Sequence, residues 1–243
     1  MTSKKHWTLR AAGLLFALVL ITSCFVGGTF AKYVTSKSAS DTARVARFGV
    51  VIEAHDNTAF KTTYDTDTAG ISSVTTSTTD SLVAPGTKED NAVILSITGK
   101  PEVAVHVELS MTGTDVVLNA GTYPDLTTPD PDGKFTLAKP YHPVVFTLKK
   151  NGNVERTGTI SEISAYLATS KDCAPGTNLS TEFGTYTLSW EWAFEDTDIV
   201  NKDQADTLLG ALVTPGAASL GVDPTNYSPS VHFKLTATVT QID

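Results

Sequence analysis

The chain has 243 residues, of which 41% are hydrophobic and 18% are charged, and its formal net charge is −8. This apolar content is sufficient for a hydrophobic core, so it excludes a chain that is disordered throughout. The negative charge argues against binding to the phosphate backbone of nucleic acids, which attracts basic surfaces. We therefore expect one large folded domain without a nucleic-acid partner.

An uncharged stretch occupies residues 11–31 and follows a basic stretch at residues 4–10. A basic region, an apolar region and small residues before a cleavage site form, in this order, a secretory signal peptide. Ala31 and the residue two positions before it are both small. We therefore predict a signal peptide at residues 1–31, cleavage between Ala31 and Lys32, and a protein that is secreted or held at the cell surface.

Two alternatives use the same residues. Cys24, which follows Ile21-Thr22-Ser23, resembles the cysteine of a lipobox and would then become a lipidated N-terminus. The 21 uncharged residues also reach across a bilayer as a helix, at ~1.5 Å rise per residue, and would then stay as an uncut anchor. If the segment is removed, the membrane is a partner only before cleavage. Cys173 is then the remaining thiol, which we predict to be passive and to lie in a loop.

The first half of the chain after the signal is rich in β-branched residues, which favour strands. Residues 32–47 are polar with scattered apolar side chains, and predict either a flexible tether or a strand that needs a partner. A first strand is predicted at residues 48–53, a long loop or weak hairpin at 57–80, and a Pro-Gly turn at 84–87. A further strand is predicted at residues 92–98.

The clearest alternation follows, at residues 102–111, where apolar and polar side chains take turns along the chain. This pattern predicts a strand with one face on a core and the other in water. Residues 122–143 contain five prolines, so regular structure there must be short. Asn151-Gly152 lies between two β-rich segments at 144–157 and predicts a tight hairpin.

The last third combines two helical patterns with two strands. A helix with a Thr or Ser hydroxyl as its N-cap is predicted at residues 160–167, and a second helix at 203–213. Aromatic side chains alternate with polar ones at 186–194, and a terminal strand is predicted at 231–240. Together the segments predict an antiparallel β-sandwich of the jelly-roll type, with one or two short helical inserts, over residues 48–243.

Residues 27–33 and 40–50, residues 186–194 and 206–210, and the ending at 235–243 together resemble the TasA/camelysin family of Gram-positive bacteria. Residues 27–33 and 40–50 look like the export region of these proteins, and residues 186–194 and 206–210 are similar to the tryptophan strand and acidic helix of clostridial-type members. The ending at 235–243 also resembles theirs. The resemblance implies a jelly-roll domain, maturation by a SipW-type signal peptidase, and a fibre-forming role in the biofilm matrix. Some relatives are labelled metalloendopeptidases.

A metallopeptidase needs metal ligands. The zincin motif places two histidines one helical turn apart, as His-Glu-x-x-His, and the chain does not contain it. His106 and Glu108 are predicted on one polar strand face, and His232 on the polar face of another strand. If these strands are neighbours, the three side chains form a surface metal site. Isolated histidines on a wet face are the alternative, so we expect no catalytic site and no cofactor.

The sequence leaves three classes of function open. The first, which we favour, is a non-catalytic matrix or surface subunit that self-associates by adding a strand to an open sheet edge. Residues 32–47 would be the donor, and its inserting side chains are Val34, Ala39, Ala43 and Val45. The second is a secreted metalloendopeptidase. The third is a surface module that binds a ligand, for example on Trp190 and Trp192 if these are exposed, although their alternation with polar residues favours the core.

Overall fold

A computed structural model describes most of the chain, namely residues 7, 8, 10–20, 44–55, 59–65, 73–128, 133–195, 199–214 and 217–242. The chain divides into two compact units, Met1–Val45 and Ala46–Asp243. In the first unit, residues 7, 8 and 10–20 are helical and form α1, whose side chains are exposed. Among the described residues, no helix is both long enough and apolar enough to span a membrane. The predicted cleavage site and Cys24 lie outside the described residues.

The second unit is built mainly from strands. Its first eight are β1 (Val50–His55), β2 (Thr63–Asp65), β3 (Ser73–Thr75), β4 (Thr87–Gly99), β5 (Val105–Thr114), β6 (Val117–Leu118), β7 (Gly121–Pro124) and β8 (Lys134–Leu137). The next elements are β9 (Val145–Lys150), β10 (Asn153–Gly158), α2 (Ile160–Leu167), β11 (Thr169–Cys173), α3 (Leu179–Glu182) and β12 (Gly184–Trp192). The chain ends with α4 (Lys202–Leu212), two short 3-10 turns, β13 (Tyr227–Ser228) and β14 (His232–Gln241).

Two antiparallel sheets form the sandwich. The larger sheet has the strand order β10-β9-β12-β4-β2-β3, and β1 also pairs with β4. The smaller sheet has the order β11-β5-β14. Successive strands cross between the sheets, as β4 does to β5 and β11 to β12, which is the connectivity that a jelly roll requires. The prediction of a mainly β sandwich with short helical inserts is confirmed.

The sheets pack face to face around one apolar core. Val105, Val107, Leu109 and Met111 of β5 are all buried, whereas Glu108 between them is exposed, as the alternation predicts. Across the core, the ring centroids of Phe146 on β9 and Phe233 on β14 lie 5.6 Å apart in an edge-to-face contact. Aromatic pairs of this kind contribute beyond their buried area and fix how the sheets meet.

Local chemistry accounts for the predicted hairpin between β9 and β10. Asn151 and Gly152 both have positive φ, 51° and 83°, as the turn between two directly connected antiparallel strands requires. Asn151 is tolerant of this conformation, and its side-chain Oδ1 also accepts a hydrogen bond from the backbone N–H of Thr185 at 2.9 Å. The turn thus connects two strands and also holds the start of β12.

Helix α2 begins with a capping box. Thr159 Oγ1 accepts from the backbone N–H of Glu162 at 3.3 Å, and the Glu162 carboxylate accepts from the backbone N–H of Thr159 at 2.9 Å. The two bonds satisfy donors that a helix start leaves unpaired. The bond from the Thr159 backbone N–H also lowers the pKa of Glu162, because it favours the ionised carboxylate. Ile160, Ile163 and Leu167 then face the core.

We expect Thr159→Ala to lower the free energy of unfolding by about 1 kcal/mol, the usual contribution of an N-cap hydroxyl. Urea unfolding monitored by circular dichroism measures this. The matched control is Ser161→Ala, which removes an exposed hydroxyl two positions further along and should change stability by less than about 0.5 kcal/mol. Equal losses in the two variants would contradict the capping role.

Three local predictions differ from the structure. Cys173 lies at the end of strand β11 and is buried, whereas a loop was predicted; burial raises the pKa of its thiol, so the thiolate is disfavoured. Phe194 lies beyond the end of β12 and is exposed. The short helix α3 is not predicted, since four residues carry too little apolar periodicity for a sequence signal.

Candidate functional site

Strand β1 is an exposed edge strand with an apolar sequence, Val-Val-Ile-Glu-Ala-His. It pairs with β4 from Val50 opposite Gly99 to His55 opposite Ile94, and among the described residues its outer edge has no strand partner. Ile52 lies opposite the fully buried Ile97, yet Ile52 is 41% exposed. An unpaired, apolar edge of this kind is a template for pairing with another chain.

Strand β14 leaves the smaller sheet open in the same way. Its ten residues pair with β5 alone among the described strands. Leu235 and Val239 lie on the core side, opposite the buried Met111 and Val107, yet both are only half-buried. The core side of this edge is therefore incompletely covered, as it is at β1.

We call the two unpaired edges, β1 and β14, the open flank. Phe60, five residues after β1, packs edge-to-face on Phe233 of β14 with ring centroids 5.7 Å apart. On the opposite flank, α2 packs against β5, β9 and β10 and so bridges the two sheets. Ser164 of α2 donates a hydrogen bond to the carbonyl of Met111 at 2.6 Å. The sandwich is thus closed by a helix on one flank and open on the other.

Two other outer edges, β10 and β11, carry more charge, and the edge strand β3 is only three residues long. Strand β10 carries Glu155 and Arg156, and the five-residue β11 carries Lys171 and Asp172. Charged side chains and short length are the means by which natural edges avoid pairing with other chains. Strand β1 lacks most of this protection, because Glu53 is its one acidic residue.

A close backbone approach fixes β1 to β4. Gly49 and Gly99 have positive φ, 59° and 109°, and a Cβ on Gly99 would lie 2.2 Å from the carbonyl oxygen of Gly49. The backbone N–H of Lys100 donates to Gly49 at 3.0 Å, and that of Glu102 donates to Arg47 at 3.0 Å. The Glu102 carboxylate also accepts from the backbone N–H of Arg47 at 2.8 Å. Residues 47–49 are therefore tied to residues 100–102.

The predicted donor segment lies mostly outside the described residues. Val34, Ala39 and Ala43 belong to that part, as do Ala31 and Lys32 at the predicted cleavage site. Val45 is described and is 92% exposed, and residues 44–49 have no regular secondary structure. The exposure of Val45 leaves this side chain available to a partner.

The structure separates the predicted metal ligands. His232 lies opposite Thr114, whereas His106 lies opposite Thr240 on the same strand pair. Strands β5 and β14 are neighbours, as the prediction requires. In their register, however, the partner of His106 on β14 lies eight residues from His232. The two histidines are therefore about 27 Å apart, at ~3.4 Å per residue. The site of His106, Glu108 and His232 is therefore not assembled.

His106 instead pairs with a residue that the sequence did not indicate. Its Nδ1 lies 2.5 Å from Asp172 Oδ1 on β11, and both side chains are at the surface. Glu108 lies two residues further along the same face and is exposed. Among the described residues, no group of three or more His, Cys, Asp or Glu side chains is arranged to hold a metal. His106 and Asp172 are best described as a cross-strand surface pair.

The tryptophans do not form an exposed platform. Trp190 and Trp192 are both buried in β12, and Trp190 packs against Phe60 and Tyr64 with ring centroids 5.5 and 5.2 Å away. Its indole N–H donates to the carbonyl of Ala59 at 2.7 Å. The core interpretation of these residues is confirmed, and the ligand-binding alternative cannot use them.

A buried polar network lies beneath α4. Lys202 Nζ lies 2.6 Å from Asp206 Oδ2, and the two side chains are only 7% and 10% exposed. Asp206 Oδ1 also accepts from the hydroxyl of Tyr141 at 2.6 Å and from the indole N–H of Trp192 at 3.2 Å. The i,i+4 spacing of Lys202 and Asp206 is visible in the sequence, but their burial depends on the distant aromatic residues. With its charges paired, the network connects the helix to the sandwich.

The chain was compared with protein-family profiles, with curated protein sequences and with solved structures, and none of the three gave a match.

Proposed function

We propose that this protein is an exported, non-catalytic structural subunit that polymerises by β-strand addition at its open flank. The observation that carries the proposal is the exposed apolar edge of β1, with Ile52 41% exposed beside a fully buried neighbour. A strand from another subunit would hydrogen-bond to this edge and cover the inner side chains of β1 and β14. Backbone pairing supplies the affinity, and the side chains set the register.

Residues 32–47 of a neighbouring subunit are the proposed donor. A donor and an acceptor at different places on the same subunit make a heterologous contact, which generates filaments when the rotation does not close. The resemblance to the TasA/camelysin family supports this assignment, since it implies fibre-forming proteins of the biofilm matrix. Cleavage after Ala31 by a SipW-type signal peptidase would release the donor.

Deletion of residues 32–43 from the mature protein tests the donor. The truncated protein should remain folded by circular dichroism, since the deletion ends before the compact unit Ala46–Asp243 begins. Negative-stain electron microscopy should then show filaments for the intact mature protein and none for the truncated one. Filaments of equal number from both proteins would eliminate the donor segment. An intact protein that forms no filaments at any concentration would eliminate the proposed function itself.

A charge on the open flank tests the acceptor. We expect Ile52→Lys to slow fibre growth at least about tenfold, because the added strand would bury an ammonium group without a partner. Light scattering with electron microscopy measures growth. The matched control is Val154→Lys on the edge strand β10, where the side chain is 61% exposed, and its growth should equal that of the parent. Because Ile52 is partly covered and Val154 is more exposed, circular dichroism of both variants must first match the parent, so that slower growth reports on assembly and not on folding. Equal inhibition by the two would count against the open flank.

N-terminal sequencing and intact-mass measurement of the protein from the culture medium test export. Lys32 as the first residue supports release of a mature subunit. A mass that shows a lipid on Cys24 would instead mean that the protein is tethered to the membrane and is not released.

A further inference from the structure

A cleft of about 420 Å³, lined by both charged and apolar side chains, opens on the closed flank of the sandwich. We call it the tyrosine cleft, because Tyr166 of α2 and Tyr186 of β12 both line it. Its charged wall residues are Lys150, Glu155, Lys171 and Glu182. Strands β9, β10, β11 and β12 and helices α2 and α3 all contribute, so the walls are held by regular structure. The volume lies within the range of ~300–1,000 Å³ typical of small-molecule sites.

The charged groups of the tyrosine cleft are paired with one another. The Lys171 ammonium group donates to the Glu182 carboxylate, and Lys150 Nζ donates to the backbone carbonyl of Glu182 at 2.7 Å. The Tyr166 hydroxyl donates to Glu155 Oε2 at 2.6 Å. Two cations and two carboxylates leave no net charge in the walls. The cleft therefore offers both donors and acceptors without a field that selects an ion.

One hydroxyl in the wall of the cleft is unpaired. Tyr186 is only 6% exposed, and within the part of the chain that the structure describes, its hydroxyl has no hydrogen-bond partner. The ring is held in place by the Lys150 ammonium group, which lies 5.7 Å from its centroid. Burial and the nearby Glu155 carboxylate raise the pKa of Tyr186, so the hydroxyl stays protonated and able to donate. The hydroxyl is not among the fully buried unpartnered atoms of the described residues, so it is accessible from the cleft and free to bond a ligand.

We infer that the tyrosine cleft binds a neutral saccharide. Sugar hydroxyls donate and accept at once, so they match a wall that alternates ammonium, carboxylate and phenol groups. The Tyr166 ring is 41% exposed and supplies an apolar surface for the C–H face of a pyranose. The Tyr186 hydroxyl, in the wall of the cleft, supplies the orienting hydrogen bond.

Other ligand classes fit less well. An anion would lie against Glu155 and Glu182, and a cation against Lys150 and Lys171, and each would have to break an existing ion pair or hydrogen bond. An apolar ligand would leave the Tyr186 hydroxyl unsatisfied and would desolvate the charged walls. The inference does not depend on polymerisation, because every wall residue comes from one subunit.

Ligand-observed NMR titration of the full-length protein tests the site. The probes are neutral hexasaccharides of glucose, mannose, galactose and N-acetylglucosamine, with polygalacturonate as the acidic comparison, at physiological salt. At least one neutral hexasaccharide should bind with a millimolar or lower Kd. Tyr186→Phe should raise that Kd about three- to tenfold, the usual effect of one hydrogen bond. Tyr166→Ala should raise it about tenfold or more. The matched control, Tyr227→Phe on β13, removes a hydroxyl outside the cleft and should leave the Kd unchanged.

Tyr186→Phe keeps every contact of the ring and removes only the hydroxyl, so it should unfold at the temperature of the parent protein. Weaker binding by this variant then reports on the ligand and not on folding. Three results would overturn the inference: no neutral saccharide binds, binding is the same in Tyr186→Phe and Tyr166→Ala as in the parent, or polygalacturonate alone binds and is released by salt. Failure to form fibres would leave this result unchanged, so the two proposals fail separately.

Discussion

Asp206→Ala is expected to destabilise the protein by about 3–5 kcal/mol, because it leaves the Lys202 ammonium group buried without a counterion. Lys202 is 7% exposed and lies 2.6 Å from the lost carboxylate. Tyr141 and Trp192 lose an acceptor in the same step. An uncompensated charge in the interior costs more than the pair contributed, so the loss exceeds the value of the ion pair itself. Guanidinium unfolding monitored by tryptophan fluorescence measures it.

Two further variants separate charge burial from other effects. Asp203→Ala removes an exposed carboxylate from the first turn of the same helix and should cost less than about 1 kcal/mol, the range of a helix-dipole interaction. The double variant Lys202→Met/Asp206→Leu removes both charges and should recover much of the loss. If Asp206→Ala lowers the free energy of unfolding no more than Asp203→Ala does, the Lys202 ammonium group must become hydrated when its partner is removed.

Gly99→Ala is expected to release strand β1, at a cost of about 2–5 kcal/mol to the free energy of unfolding. The φ of 109° at Gly99 is unfavourable for any residue with a Cβ, and the new methyl group would lie 2.2 Å from the Gly49 carbonyl oxygen. The oxygen belongs to the backbone and the methyl carbon is bonded directly to it, so neither can move without disturbing the pairing of β1 with β4. Hydrogen exchange measured by mass spectrometry should show that the amides of β1 lose protection before those of β12.

The control for this prediction is Gly210→Ala in α4. Gly210 lies within the helix, and nothing is within 4 Å of the position its Cβ would occupy. The substitution should therefore stabilise the protein by about 0.5–1 kcal/mol, the difference in helix propensity. If Gly99→Ala leaves β1 as protected as in the parent, the close approach of the two glycines is not what holds this strand.

The features that the sequence predicted correctly depend on neighbouring residues. The hairpin at Asn151-Gly152 needs two residues that accept positive φ, and the helix after Thr159 needs a hydroxyl followed by a periodic apolar face. The alternation in β5 specifies its buried face in the same local way. Such patterns lie within ten residues or so, and can be recognised without knowledge of the rest of the fold.

The candidate sites depend on pairings that a sequence does not display. The contact of His106 with Asp172 joins residues 66 positions apart, and the separation of His106 from His232 follows from the register of β5 with β14. The exposure of Ile52 depends on which strand lies at the edge of a sheet, since a central strand with the same sequence would be buried. The strand predicted at residues 48–53 overlaps β1 at Val50–His55. Its place at the edge of the sheet was not visible in the sequence.

The hydrogen bonds between residues 47–49 and residues 100–102 affect whether a subunit can pair its own N-terminal segment with its own β1 edge. If residues 32–47 are the donor, as we propose, the donor lies next to the acceptor edge of its own subunit and could cap it, because a tethered segment has a high effective concentration. To fold back onto β1, the chain would have to reverse direction just before Val50, and so give up the bonds from Lys100 to Gly49 and from Glu102 to Arg47. Self-capping therefore carries a penalty that docking on another molecule avoids. Newly cleaved subunits would then keep their β1 edge free and could add to the end of a filament.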